Sequence, residues 1–505
     1  MKLNCELCEN WPPLAWLAHF KPSGDTISLR HGAGVETGLD WFAEAVWDGP
    51  FAESNFDLTD LVFGSGGRQR GNRWVFVSAG TTLDRLHSHR SADSGFYVSN
   101  SLACLTSAIE AVVDPHRRDL FSFFESIIYG INHYKKTLQT SAGEVDLTYF
   151  KNLEFDGTDL REIDKPRFDR DFSNFEGYES FLHTSMEAIG GNLAAPDRKS
   201  RLSPIASIST GYDSPTVAAV ARRAGLEETL SIVDARSGAN DDGSEIARRL
   251  GLRPLSIPRD DWRRVADSPL SVTRFLASDA KGEDVYFAPA AEVLSGRVLF
   301  TGYRGSRVWK PTAAGVSDMS RTDQSGLSHT EARLHGQYLH VPLPYMGALQ
   351  DNEIRAIGLA PEMSQWSLGG EYNQPVSRRI VEQAGVPREL FGQEKKAASV
   401  LLFDRSSFLP PDSRESFFEW CREQDISHRS AAERFLAAGR SLLRVQGGGV
   451  LDVAQKALQR FQPTKKMPLL NRIARSSRLT EMARFEPRFD YLFPWALAET
   501  QKAYR

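Results

Sequence analysis

Two rhythms of apolar residues follow one another along this chain. Residues 1–165 carry short apolar stretches cut by glycine-rich and polar turns. This spacing predicts strands over 74–78 and 95–98, and helical spacing follows over 102–113 and 120–129. Composition then turns polar and charged across 166–200, around an amphipathic helix at 178–192. Residues 196–201 have no periodicity, so a boundary belongs there. From Ile205 onward strand and helix patterns alternate: strands over 205–208, 229–234 and 255–257, and a helix over 245–250. Such alternation predicts a parallel sheet with helices on its faces. Beyond Pro410 the spacing is helical, with a break at Gly447.

The sharpest local pattern spans residues 204–225. An apolar run ends at Ile208, and small hydroxyl residues and Gly211 follow as a turn. Val217, Ala218, Val220, Ala221 and Ala224 recur at helical spacing, with Ser214 as the expected N-cap, Pro215 in the first turn and Gly225 as the stop. Strand, tight loop and helix together aim backbone N–H groups and the positive end of a helix dipole at one spot, which suits a phosphate-bearing anion. Ser209, Thr210 and Ser214 add hydroxyl donors. Asp213 adds a carboxylate able to hold Mg²⁺ or to fix the loop.

Composition narrows the setting. A chain of 505 residues with 41% hydrophobic and 25% charged residues has room for two or three domains and an ordinary soluble core. A net charge of −4 argues against a dedicated nucleic-acid binder. No apolar run has bilayer-spanning length and no signal-like segment opens the chain, so no membrane role and a cytoplasmic location are expected. Four cysteines make no disulfide framework, and the Cys5/Cys8 pair has no second pair at zinc-ligand spacing. His87 and His89 share one face of a strand and read as solvated or core-edge side chains, with no third metal ligand in view.

Residues 209–214, Ser-Thr-Gly-Tyr-Asp-Ser, resemble the Ser-Gly-Gly-x-Asp-Ser loop of the ATP pyrophosphatases that include asparagine synthetase, with Thr210 in place of the first glycine. Three further segments match in the right order. The stretch from Arg85 through Gly95 to Leu105 is similar to part of the family's glutaminase domain. Residues 297–309, with Gly302 and Gly305, resemble its second pyrophosphate loop. Residues 372–397 look like the segment in which a helix ends at a Gly-x-Pro turn and delivers a lysine to the active site.

The resemblance implies an α/β plus α+β protein. A degenerate Ntn-type, glutaminase-like β-sandwich domain would occupy 1–165, a connecting helix 166–200, a parallel-sheet PP-loop ATP pyrophosphatase domain 201–410, and a helical extension 411–505. It implies that Ser209, Thr210, Gly211, Asp213, Ser214, Gly302 and Gly305 hold ATP, with Asp213 on Mg²⁺. It also implies that backbone groups of Ile232 and Val233 pair with adenine, and that Lys396, or less favoured Lys395, stabilises charge on the activated substrate. Ser306 stands where the family has an aspartate, and Arg304 and Arg307 are candidates to neutralise phosphate charge in its stead. Asp241 and Asp242 read as an exposed turn and helix cap.

The family glutaminase uses a cysteine at the chain start, where Lys2 follows Met1 here. The expected activity is therefore an ATP-dependent amide-forming ligase, similar to β-lactam synthetase and lasso-peptide cyclases. It would adenylate a small-molecule or peptide carboxylate, release pyrophosphate and use ammonia or a substrate amine. The alternative is an ATP-binding scaffold that has lost catalysis. A homodimer is left open. Lys465, Lys466, Arg472, Arg475, Arg478 and Arg484 make the chain's end locally basic, which reads as a solvated face.

Overall fold

Among the described residues thirteen strands build the first unit: β1 (Lys2–Leu7), β2 (Trp16–Phe20), β3 (Thr26–His31), β4 (Glu36–Thr37), β5 (Trp41–Trp47), β6 (Val62–Arg70), β7 (Arg73–Val77), β8 (Arg85–Arg90), β9 (Phe96–Ser99), β10 (Thr137–Thr140), β11 (Gly143–Tyr149), β12 (Asn152–Phe155) and β13 (Leu160–Ile163). They form a seven-stranded sheet, β1-β3-β2-β9-β8-β11-β10, and a six-stranded sheet, β13-β12-β7-β6-β5-β4. The computed structural model describes residues 1–92, 95–117, 119–265, 268–312, 318–401, 409–426 and 491–505. Trp16, Phe20, Leu29 and Phe96 of the first sheet meet Phe42, Trp74, Phe76 and Phe155 of the second in one buried cluster, so the sheets stack face to face. On the outer face of the seven-stranded sheet, Leu17 and Leu147 pack under Leu102, Leu105, Phe123 and Phe124 of two short helices.

His87 and His89 lie in β8, and both are buried rather than solvated. Nε2 of His87 accepts from Nε of Arg85 at 3.0 Å, and burial together with that guanidinium pushes its pKa well down. The helix expected over 102–113 closes earlier, at Leu102–Ala108.

The second unit is a five-stranded, all-parallel sheet of β14 (Ser203–Ile208), β15 (Glu228–Ile232), β16 (Arg253–Ile257), β17 (Arg297–Thr301) and β18 (Tyr338–Pro342), in the order β16-β15-β14-β17-β18. The chain enters at the centre, steps outward one way, and returns to build the other side. The reversal falls between β14 and β17, the position at which open parallel sheets of this kind bind ligands, beyond the strands' carboxyl ends.

The helix Phe175–Leu193 is capped by Asn174, whose side chain accepts from the Gly177 N–H. It buries Tyr178, Leu182, Met186 and Ile189 in the same cluster as Ala206, Val217 and Val298, so it is a layer of the second unit's core. The last helix, Leu492–Gln501, sets Trp495 against Phe417 and Phe493 against Phe124, and thereby touches both units. Between the units Arg333 is buried with Glu44 at 2.6 Å and Asp84 at 3.0 Å. Among the described residues no helix is long and apolar enough to cross a membrane. The Gly447 break and the basic residues from Lys465 to Arg484 lie outside the described residues.

Candidate functional site

Because β14 and β17 are neighbours in register, with Ala206 beside Phe300, the two glycine-bearing loops leave the sheet side by side. They interlock around one side chain. A Cβ on Gly302 would lie 2.7 Å from Asp213 Cβ and 2.8 Å from its carbonyl carbon, and a Cβ on Gly305 would lie 2.5 Å from its Cγ. Both positions must be glycine for the second loop to pass this close. Asp213 opens the helix Asp213–Ala221, two residues earlier than an N-cap at Ser214 predicts. Ser214 is therefore inside the helix, and its Oγ pairs with Ser209 Oγ at 2.9 Å instead of capping.

Oδ1 of Asp213 is buried and has no hydrogen-bond partner among the described residues. Burial pushes the carboxyl up to about 7, opposed by a hydrogen bond from Gln374 and by the charge of Lys395. An orphaned carboxylate oxygen between two phosphate-type loops fits a hard cation. Among the described residues no group of three His, Cys, Asp or Glu surrounds it, so Mg²⁺ would draw its other ligands from phosphate oxygens and water.

The first loop is threaded by partners that local sequence did not reveal. The Thr210 N–H and hydroxyl both donate to Asp241 Oδ1, at 3.0 and 2.6 Å. The Thr210 carbonyl accepts from Gly392 N–H at 2.9 Å. Lys396 Nζ donates to Thr210 Oγ1 at 3.2 Å and to the Asn240 carbonyl at 2.8 Å. Asp241 is therefore a buried loop anchor, not an exposed turn residue, while Asp242 does receive Ser244 N–H and Oγ at the start of the helix Ser244–Arg249. Gly211 N–H donates to Ser209 Oγ at 3.2 Å, and Tyr212 N–H to the Tyr372 hydroxyl at 3.3 Å.

Lys396 is thus brought to the first loop, whereas Lys395 is exposed and acts on Asp213 through its charge. Their segment is fixed by Gly392, where a Cβ would meet the Tyr212 ring at 2.4 Å and where φ is +66°. It is fixed again by Arg236 N–H donating to the Ala397 carbonyl at 2.7 Å.

The chain matches no protein-family model, and its sequence matches none of the curated proteins. The site therefore rests on its own geometry.

Two expected assignments do not survive that geometry. Arg304 does not face the loops' shared space: it sits in the left-handed region at φ +75°, and its buried guanidinium donates to Asp351 Oδ2 at 2.7 Å. It braces the second loop from behind, with Arg355 on the same carboxylate at 3.2 Å. Val233 already donates its N–H to Ile257 O at 3.1 Å and accepts Asp241 N–H at 2.8 Å, so its N–H is not free for adenine. Ile232 ends β15 beside Ile257. Arg307 Nη2 donates to Ser320 Oγ at 3.2 Å.

Next to Gly302, the Tyr303 hydroxyl donates to Asp284 Oδ1 at 2.9 Å and lies 3.1 Å from the Tyr286 hydroxyl and 3.3 Å from His329 Nε2. Asp284 is wholly buried, and its Oδ2 accepts from Gly326 N–H and Ser328 Oγ. No sequence signal short of the fold joins residues 284, 303 and 329.

Proposed function

We propose that this protein is an ATP-dependent, amide-forming ligase of the asparagine synthetase type. In this reading the stacked sheets are a glutaminase-like, Ntn-type domain, and the parallel sheet is a PP-loop ATP pyrophosphatase domain. The observation that carries it is the contact of Gly302 and Gly305 with Asp213, which makes one anion cradle out of two loops at the sheet's reversal point. A substrate carboxylate attacks the α-phosphorus of ATP. Pyrophosphate leaves between the loops, and an amine then displaces AMP from the acyl adenylate. Asp213 would hold Mg²⁺, which when bound would supply positive charge against the pyrophosphate oxygens. Lys396, already at Thr210, places an ammonium beside the first loop, where it opposes negative charge that grows in the transition state.

The amine is ammonia or a substrate amine. A glutaminase nucleophile needs an activated thiol, yet Cys5 and Cys104 both have their pKa raised by burial, and Cys421 is buried. The adenylated substrate would be a small-molecule or peptide carboxylate in the cytoplasm. Carboxylate-dependent exchange of labelled pyrophosphate into ATP tests the reading. Exchange that requires Mg²⁺ and is lost in Asp213→Ala supports it; AMP-free hydrolysis to ADP overturns it.

A second reading, an ATP-binding scaffold without catalysis, is favoured by the engagement of the Thr210 N–H with Asp241 and by the absence, among the described residues, of a group of three metal-ligating side chains. Calorimetric binding of Mg-ATP with no pyrophosphate exchange across a panel of carboxylates would select it.

A further inference from the structure

The longest free sheet edge among the described residues belongs to β1. At the other margins β10 and β13 have four residues each and β4 has two, β16 carries Pro254, and β18 is buried. Proline removes a ladder donor, and short strands offer few. β1 is Lys-Leu-Asn-Cys-Glu-Leu, six residues without proline or glycine, all exposed except half-buried Leu3.

Its backbone has a defined orientation. Lys2 N–H donates to Asp25 O at 2.5 Å and Cys8 N–H to His31 O at 2.9 Å, both on the β3 side. By the two-residue period of a strand, Leu3, Cys5 and Leu7 turn their N–H and C=O groups outward. Among the described residues β1 pairs on one side only, with β3.

The charges on this edge are self-complementary. Lys2 and Glu6 have opposite sign and stand symmetrically about Asn4 on one face. We propose that β1 pairs antiparallel with β1 of a second copy of this chain, about a twofold axis through Asn4. The two seven-stranded sheets thereby become continuous. Asn4 then faces its own counterpart, Leu3 faces Cys5, and Lys2 faces Glu6 twice over, as an isologous interface requires.

Leu3 and Cys5 both point backbone groups outward, so their pairing makes narrow hydrogen-bonded rungs, and Asn4 sits at a non-hydrogen-bonded rung. A shift by one residue would set outward groups against inward ones and exchange the faces. A shift by two loses both ion pairs, and a parallel pairing in register sets like charges together. Glu6 also lies 3.9 Å from Arg30 of β3, so the row Arg30, Glu6 and the second copy's Lys2 alternates in sign across the seam. Leu7, 51% exposed, is covered opposite Met1.

The test is sedimentation velocity on the full chain from about 1 to about 100 µM, since a strand-edge interface is small and of roughly micromolar strength. A reversible dimer is expected. Lys2→Glu alone and Glu6→Lys alone each weaken it by about tenfold or more, and the double exchange restores it, because charges directly opposite are re-paired. In a Cys5→Ser, Cys8→Ser background, Asn4→Cys cross-links to dimer on mild oxidation, since its rung puts Cα atoms about 4.5 Å apart. A monomer throughout the range overturns the proposal. So does a dimer indifferent to charge reversal, or one that Asn4→Cys fails to cross-link.

Discussion

A methyl group on Gly305 would lie 2.5 Å from the carboxyl carbon of Asp213, so the second loop closes only because that residue has no side chain. Gly305→Ala therefore forces apart the two loops that form the proposed anion site. The expected cost is about 1–3 kcal/mol of stability, the range for overpacking, together with loss of Mg-ATP binding. Thermal unfolding and calorimetry check both. Adding Asp213→Gly, which removes Cβ at 2.8 Å as well as Cγ and Oδ1, recovers part of the stability but not the binding, which separates the steric clash from the chemistry.

The pKa of Asp213 makes the site pH-dependent. Burial raises this carboxyl to about 7 from its ordinary value of 3.8, so the folded protein binds a proton that the unfolded chain has released across that window. The group's contribution to stability is accordingly full below the unfolded value and is lost as pH rises towards 7. A cation competes with that proton. Mg-ATP affinity is expected to rise between pH about 6 and about 8, with a proton released on binding. Calorimetry in buffers of different ionisation enthalpy measures the release, and Asp213→Asn removes both the slope and the proton.

Lys396 and Lys395 are neighbours in sequence, yet Lys396 donates to Thr210 of the first loop while Lys395 is exposed. Lys396→Met is expected to lower the rate of amide formation about 10²–10³-fold, the range for removing one preorganised donor, with a small change in ATP affinity. Lys395→Met should leave the rate within about threefold, since its charge is exposed and therefore screened. Single-turnover AMP formation distinguishes them. Equal effects would assign Lys396 to loop folding alone.

Asp241 accepts two hydrogen bonds from Thr210. Asp241→Ala leaves both donors unsatisfied and is expected to cost about 1–3 kcal/mol. Thr210→Gly removes the hydroxyl and returns the loop to the glycine of the family it resembles. In that background the cost of Asp241→Ala should fall, a coupling that a double-mutant cycle in urea measures directly.

Arg333 is held between Glu44 and Asp84 where the two units meet. Burial works against its charge, yet the two carboxylates more than offset this and raise its pKa. Arg333→Met abandons two buried carboxylates and should destabilise the protein by about 3–5 kcal/mol. The measurement is the urea midpoint. Two separate transitions in the variant would show that this contact joins the units' unfolding.

Where elements repeat locally, the sequence was legible. The strand before Ser209, the glycine turn and the helix after it follow from apolar spacing and turn residues within twenty positions, and the parallel sheet follows from their alternation. The cap lies two residues earlier than expected, at Tyr212 instead of Ser214, because the Ser214 hydroxyl pairs with Ser209 across the loop, a contact that local spacing does not show.

Gly302, Gly305 and the pair Lys395 and Lys396 stand out only through the family resemblance of their segments. What each one touches is not visible in one dimension. Arg304 and Arg307 look alike in sequence, but one is sealed against Asp351, forty-seven positions away, while the other reaches Ser320. Asp241 and Asp242 are adjacent, yet one anchors a loop thirty-one positions upstream and the other begins its own helix.

The sequence by itself determined which residues could form strands, turns and helices, because those preferences depend on neighbours a few positions apart. Only the tertiary structure decided which loop meets which carboxylate. That choice is made by strand order at the reversal point and by burial, and neither quantity exists until the chain has closed on itself.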